Sequence, residues 1–267
     1  MPQRHFKMET LKQVCTMINQ GDYLTSIDLT DAFMHVLVHQ SSRRFLQFTW
    51  KGRLFQFRVL PFGMSLSPMV FTKILKPVLR WARRKGIRLT AYLDDLLIVA
   101  KDRATSLRRT ELVLHKLADL GFPIKRSKSS LIPSQSIQHL GFTINTTNLS
   151  LTVPTSKIRN LRREASRLLR RPTSTIRALA SFIGKSQSMT IAIFPARLKT
   201  RHLLLCKNMA LHQTKSWTSP LSLSPAAKDE LMWWKEQLLS WNGQSFLPSS
   251  PQVEIYTDAS DSGWGIV

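Results

Sequence analysis

The stretch "AYLDDLLIVA", residues 91–100, sets two adjacent acids, Asp94 and Asp95, inside a run that otherwise asks for burial. Burial resists ionisation of a carboxylate, and a second acid beside it makes ionisation harder still. A chain with this stretch must fold so that the pair lies at an exposed turn or meets concentrated positive charge. The two apolar runs are short enough for strands, and the two residues between them read as a hairpin turn. Asp-Asp is a poor choice there, where Asn-Gly or Asp-Gly is natural. A local rule broken inside well-patterned sequence marks a place where function is expected.

The surroundings are well patterned. Residues 8–20 carry Met8, Leu11, Val14, Cys15 and Ile18 at helical spacing, with Gly21 and Asp22 as a stop. "YLTSIDL" reads as a strand running into Asp28. "LQFTW" and "FQFRV" alternate around "KGR", which predicts a hairpin with one buried face made by Leu46, Phe48, Trp50, Phe55, Phe57 and Val59. After the loop "LPFGMSLSP" a helix is expected over 69–85, with Val70, Ile74, Leu75, Val78, Leu79 and Ala82 inward and Pro77 as a candidate kink. A second amphipathic helix spans 104–120. "GFPIKRSKS" turns into a strand, and "IQHLGFTIN" is a strand pair around Gly141. Beyond residue 150 the pattern turns helical, near 156–170, 174–190, 196–212 and 225–240, the last opened by Ser224-Pro225. "LPSSPQ" has the composition of a linker, and "VEIYTDASDSGWGIV" returns to a strand.

Charge narrows the partners. The 39 Lys plus Arg outnumber 16 Asp plus Glu, a net +23, which points to a polyanion, nucleic acid first and an acidic membrane surface second. Between residues 155 and 215 there are 14 basic residues and one acid, Glu164. A solvated helix face is the usual reading of such a run, but ordinary surface helices mix both signs. Cys15 and Cys206 are too few for a disulfide framework or a zinc cluster, which favours an intracellular setting, cytoplasm or nucleus. No apolar run reaches the ~18 residues of a membrane span, so no membrane partner is expected from a span. The first residues, "MPQRHFKMET", are neither a signal peptide nor an obvious transit peptide.

Asp28 ends one strand, and a hairpin can bring Asp94 and Asp95 beside that end. Three carboxylates at one point repel each other unless divalent cations lie between them, and oxygen ligands select hard ions such as Mg²⁺. Two such ions can activate an attacking oxygen and stabilise a leaving one in phosphoryl displacement.

"SIDLTDAF", "LPFGMSLSP", "YLDD" and "HLGF" occur in that order. They resemble successive motifs of the reverse transcriptase palm, in wording nearest to retrotransposon enzymes of the gypsy and DIRS types, with DIRS favoured. The resemblance covers roughly residues 5–145 and continues more weakly through the helical part. "YTDASDSGWG" resembles the opening strand of a ribonuclease H domain. The fold implied is α+β: a right-hand polymerase palm, an antiparallel sheet packed on helices, with partial fingers over 1–150. A helical thumb and connection would follow over 151–250, and a truncated start of ribonuclease H over 251–267. The activity implied is RNA-directed DNA polymerase, a nucleotidyltransferase. It would add deoxynucleoside triphosphates to a DNA primer on an RNA or DNA template, holding the RNA–DNA hybrid and using two Mg²⁺ ions, with Mn²⁺ as a permissive substitute.

By the same resemblance Asp28, Asp94 and Asp95 are the catalytic metal-binding triad, and the Leu29 carbonyl is a further metal ligand. Asp31 and Ala32 line the nucleotide pocket. Phe33 is the steric gate under the sugar, or a core aromatic closing the strand, or both. Phe62 and Gly63 match the loop over the nucleotide, although some relatives carry Gln where Phe62 stands. Lys128 matches a lysine proposed to protonate the leaving pyrophosphate; a solvated lysine is the bland alternative. Tyr92 contacts the template–primer or simply packs in its hairpin. Leu140, Gly141 and Phe142 match the primer grip. The basic helices after 155 would hold duplex phosphates without reading sequence. Asp258 matches the first metal-binding acid of ribonuclease H, an activity expected only from a longer polyprotein. Such enzymes carry more fingers sequence ahead of the first motif, so the chain reads as a piece of such a polyprotein or as a truncated gene. Two other readings stand beside the polymerase: a nucleic-acid-binding remnant without useful catalysis, and a capsid-like structural protein, which the intact acid triad counts against.

Overall fold

The computed structural model describes Phe6 and residues 8–246, 257–260 and 263–266. In chain order the first part comprises α1 (Leu11–Met17), β1 (Tyr23–Asp28), a 3₁₀ turn over Ala32–His35, α2 (Gln40–Arg43), β2 (Gln47–Trp50) and β3 (Arg53–Gln56). It continues with α3 (Ser67–Arg84), β4 (Arg88–Tyr92), β5 (Asp95–Ala100), α4 (Arg103–Asp119), β6 (Ser130–Ser134), β7 (Ser136–His139), β8 (Phe142–Asn145) and β9 (Ser150–Thr152). Then come α5 (Thr155–Arg170), β10 (Ser174–Thr175), α6 (Ile176–Ser188), 3₁₀ turns over Phe194–Ala196 and Leu198–Thr200, α7 (Arg201–Thr214), β11 (Pro220–Leu221) and α8 (Pro225–Glu236). The described chain ends with β12 (Gln244–Ser245), β13 (Thr257–Ser260) and β14 (Gly263–Ile266).

A four-stranded sheet in the order β4-β5-β1-β6 carries the centre of the molecule. Its inner strand β5 is apolar at every position from Leu96 to Ala100 because both faces are covered. Leu97 and Val99 point into one apolar cluster; Leu96 and Ile98 point into another with Phe71, Leu75 and Val113 from α3 and α4. Each such side chain contributes about 1.5–3 kcal/mol by leaving water. A second sheet, β12-β9-β8-β7, brings Gln244 and Ser245 back to pair with β9. The boundary expected near residue 150 therefore lies inside a sheet, and the first cluster runs from Leu11 to Leu238. In its helical part Trp234 meets Phe182 edge-on at 6.1 Å and donates from Nε1 to the Lys199 carbonyl at 2.6 Å.

Three elements depart from the sequence pattern. The β2–β3 hairpin forms around Lys51 and Gly52, both at positive φ, but both strands are exposed and Trp50 keeps 63% of its surface in solvent. Alternation marks an apolar face; among the described residues no element covers it, and the face is consolidated only by its own rings, Phe48 stacking on Phe55 at 5.6 Å. In α3 the inward face is set by Met69, Phe71, Leu75, Val78, Leu79 and Ala82; Ile74 is exposed, and Pro77 sits on the exposed side of a continuous helix. At the chain end the single expected strand is a hairpin, with Asp258 opposite Gly265. "LPSSPQ" lies outside the described residues. Among the described residues no helix is long and apolar enough to cross a membrane.

Candidate active site

The fold separates Asp94 from Asp95. Tyr92 at the end of β4 pairs with Asp95 at the start of β5, so the turn residues are Leu93 and Asp94, not Asp94 and Asp95. Leu93 is left-handed, at φ 56, an uncommon conformation for a residue with a branched side chain. The turn is tied down from outside: Leu29 donates its N–H to the Asp94 carbonyl at 2.9 Å. Asp95 stands opposite Asp28 in the β1–β5 register. Directly opposed residues have Cβ atoms about 4.5–5.5 Å apart. Asp28, Asp94 and Asp95 thus gather at one end of the two central strands.

Their electrostatics follow from that placement. Burial pushes the Asp28 carboxyl above the usual carboxylate range. The Asp94 charge pushes it further, Lys128 pulls it down, Asp95 raises it again and Lys125 opposes. The 123–129 loop clasps the same residue: Lys125 donates its N–H to the Asp28 carbonyl at 2.8 Å, and the Asp28 N–H donates to Ser129 Oγ at 3.0 Å. Among the described residues no group of three or more His, Cys, Asp or Glu has the spacing of a finished metal site. The donor chemistry nevertheless fits hard divalent cations: carboxylate oxygens with the Leu29 carbonyl next in the chain, and an acid whose ionisation is opposed by its two neighbours.

A stability test follows. Asp28→Asn should raise the melting temperature at pH 7 in metal-free buffer, because ionised Asp28 is held against repulsion and desolvation. The folded-state value is raised, so the gain is full above it and fades as pH falls towards the unfolded value of 3.8. Thermal melts across that range check it; a lower melting temperature at pH 7 would contradict the repulsion.

Beyond the carboxylates, Asp31 takes the left-handed region at φ 46 and opens the 3₁₀ turn that buries Ala32. Phe33 is half-buried, its ring 5.3 Å from Phe62 and 5.6 Å from Phe71, so it touches both the core and the exposed loop residue. Gly63 follows Phe62 with φ 85. Tyr92 is half-buried opposite Asp95, and Lys128 is exposed. Leu140 and Gly141, at φ 48 and 80, make the two-residue turn between the paired His139 and Phe142. Lys157 donates from Nζ to the Gly141 carbonyl at 3.0 Å and lies 6.0 Å from the Phe142 ring; a methyl group on residue 141 would collide with that Nζ.

Three residues near the carboxylates were given no role by the motif reading: Lys125 and Ser129 in the 123–129 loop, and His139, which opens "HLGF". His139 is buried with Nδ1 3.2 Å from Asp95 Oδ1. The two atoms are close but not aligned as a hydrogen bond, which leaves Nδ1 without a partner among the described residues. The alternation Ser136 out, Ile137 in, Gln138 out, His139 in is a signal that could have found it. Asp258 lies on β13, away in sequence from all of these.

Residues 1–144 match the family described as reverse transcriptase (RNA-dependent DNA polymerase). The Gag-Pol polyprotein of Walleye dermal sarcoma virus is 33% identical over 163 residues, covering 61% of this chain and 9% of that protein. The retrovirus-related Pol polyprotein from transposon gypsy of Drosophila melanogaster is 23% identical over 140 residues, 52% of this chain and 13% of that one. The Transposon Tf2-3 polyprotein of Schizosaccharomyces pombe is 25% identical over 191 residues, 69% of this chain and 14% of that one. Among solved structures, the foamy viral protease–reverse transcriptase with RNA/DNA hybrid superposes with a TM-score of 0.69 at 20% identity, over 89% of this chain and 30% of that one. The same enzyme with double-stranded DNA gives 0.68 at 19%, over 97% and 50%. The chain thus spans less than a sixth of these curated relatives and at most half of these solved chains, and the fold is shared.

Proposed function

Because the chain belongs to the reverse transcriptase family, we propose that it is the core of a retroelement RNA-directed DNA polymerase, extending a DNA primer on an RNA or DNA template. One observation carries this: the β1–β5 register sets Asp28 against Asp95, with Asp94 pinned beside them through its carbonyl. Asp28, Asp94 and Asp95, with the Leu29 carbonyl, would hold two Mg²⁺ ions, with Mn²⁺ as substitute. Bound there, the metals would activate the primer 3′-oxygen and offset charge on the triphosphate. Asp31 and Ala32 would border the incoming nucleotide, Phe62 and Gly63 would close over it, and Lys128 would face its leaving pyrophosphate. Tyr92 and the Leu140–Phe142 turn would hold the template–primer. The RNA–DNA hybrid and double-stranded DNA in the foamy viral complexes support nucleic acid as the partner. On this reading 1–150 is palm and fingers, 151–250 thumb and connection, and 251–267, with Asp258, the start of a ribonuclease H module.

The test is primer extension on a homopolymer RNA template with Mg²⁺, repeated with Mn²⁺. Deoxynucleotide incorporation is expected. Tight hybrid binding without extension under either ion would leave a nucleic-acid-binding remnant instead.

Phe33 offers a second measurement. Its ring bridges the core and Phe62, so a smaller side chain opens space between them. Phe33→Val should raise ribonucleotide use relative to deoxynucleotide use by about tenfold or more, since a clash removed is worth at least ~1.4 kcal/mol. An unchanged ratio in a folded, active variant would reduce Phe33 to a packing residue.

A further inference from the structure

We propose that the outer face of α5 is a second nucleic-acid site, taking the phosphates of a single strand away from the three carboxylates. A groove of about 610 Å³ lies between α5 and α8, lined among others by Arg159, Arg162, Arg163, Arg167, Arg170 and Lys235, and no acid lines it. The direction in which it opens follows from the helix. At about 100° per residue, Arg159, Arg163 and Arg170 project roughly 100–160° round α5 from Lys157 and Glu164. Lys157 reaches the Gly141 carbonyl, and Glu164 accepts from Lys185 Nζ of α6 at 2.6 Å. Arg162 donates from Nε to the Lys235 carbonyl at 2.7 Å and so fixes α8 as the other wall. A duplex lying along the Leu140–Gly141 turn would meet α5 on its Lys157 edge. The arginine groove faces elsewhere.

The groove's chemistry selects the ligand. Arginines three and four residues apart repel each other along a helix, and the pairs Arg159–Arg163, Arg163–Arg167 and Arg167–Arg170 compound that cost. An anion reverses its sign. Guanidinium groups hold phosphate oxygens in pairs of parallel hydrogen bonds, which favours phosphate over other anions. From Arg159 to Arg170 the helix rises about 16 Å, enough for three or more phosphates of one strand. The lining comes almost wholly from α5, a single row of guanidinium groups that one backbone can follow. No aromatic side chain lines it, so no base is stacked and recognition should ignore sequence.

The experiment uses the intact chain with Asp94→Asn, so that catalysis plays no part. The chain is saturated with a short RNA–DNA hybrid, and a fluorescent single-stranded oligothymidylate is titrated in. A second binding event is expected. The triple variant R159E/R163E/R170E should weaken it by tenfold or more while hybrid affinity stays within about twofold. The milder R159Q/R163Q/R170Q guards against misfolding and should lose a smaller part of the same binding. Equal losses for strand and hybrid would make this face part of the duplex path, and unchanged strand affinity would make it a solvated surface; either result overturns the proposal. Because both ligands are read by binding alone, failure here is distinct from failure of the polymerase reading.

Discussion

Asp94→Asn is expected to cut primer extension on the order of a thousandfold or more while leaving hybrid affinity within a few-fold. Asn keeps the size and shape of the side chain and removes one ligand charge. The turn should survive, because it is held through the Asp94 carbonyl by the Leu29 N–H and through the Tyr92–Asp95 pairing, neither of which involves the carboxylate. Asp94 is exposed, so folding has little to lose. On the proposed two-metal reading, losing one carboxylate would remove transition-state stabilisation of several kcal/mol. Single-turnover extension separates chemistry from binding, and filter binding of the same hybrid supplies the control. Extension at the parent rate would take Asp94 out of the reacting centre.

The second large effect is that of salt. Affinity for a short hybrid should fall by a few hundredfold between 50 and 200 mM monovalent salt if about five phosphates are neutralised, and hardly at all with base sequence. Lys125 and Lys128 act on Asp28, Lys157 sits over the Gly141 turn, and Lys185 continues that side of α5 and α6. On the proposed reading these would be among the cations that meet a duplex. A plot of log affinity against log salt gives the number directly. A flat line would mean that these side chains serve a protein partner or none.

What could be read from the chain depended on how local the cause was. The apolar run Leu96–Ala100 was legible because both faces of β5 are covered, and α5, α6 and α8 were legible from apolar spacing and, in α8, from the Ser224 cap. The Asp-Asp turn was misplaced by one residue because register is a property of pairing. Tyr92 meets Asp95 and Asp28 meets Asp95, and neither contact is written in "YLDD" itself. Asp28 was legible as a third acid from its place at a strand end, and the likeness to known motifs pointed to the same residue; its register against Asp95 was not written there. The β2–β3 face was misjudged because alternation says which side is apolar and nothing about what lies over it. The 14-to-1 basic excess was plain, yet its division into a palm side and an outer groove needed the positions of α6 and α8 around α5.

The apolar cluster that starts at Leu11 and ends at Leu238 also determines how the molecule melts. Leu24, Leu97 and Val99 of the central sheet share it with Ile158, Phe182 and Trp234 of the helices, and β12 closes the sheet that contains the expected boundary. Neither half can let go without exposing the other's interior, so heat or denaturant should meet a single cooperative transition rather than two domains parting in turn. At this joint the molecule is one block: a cut at residue 150 would yield two fragments with wet cores, and any bending of the chain must be taken up elsewhere.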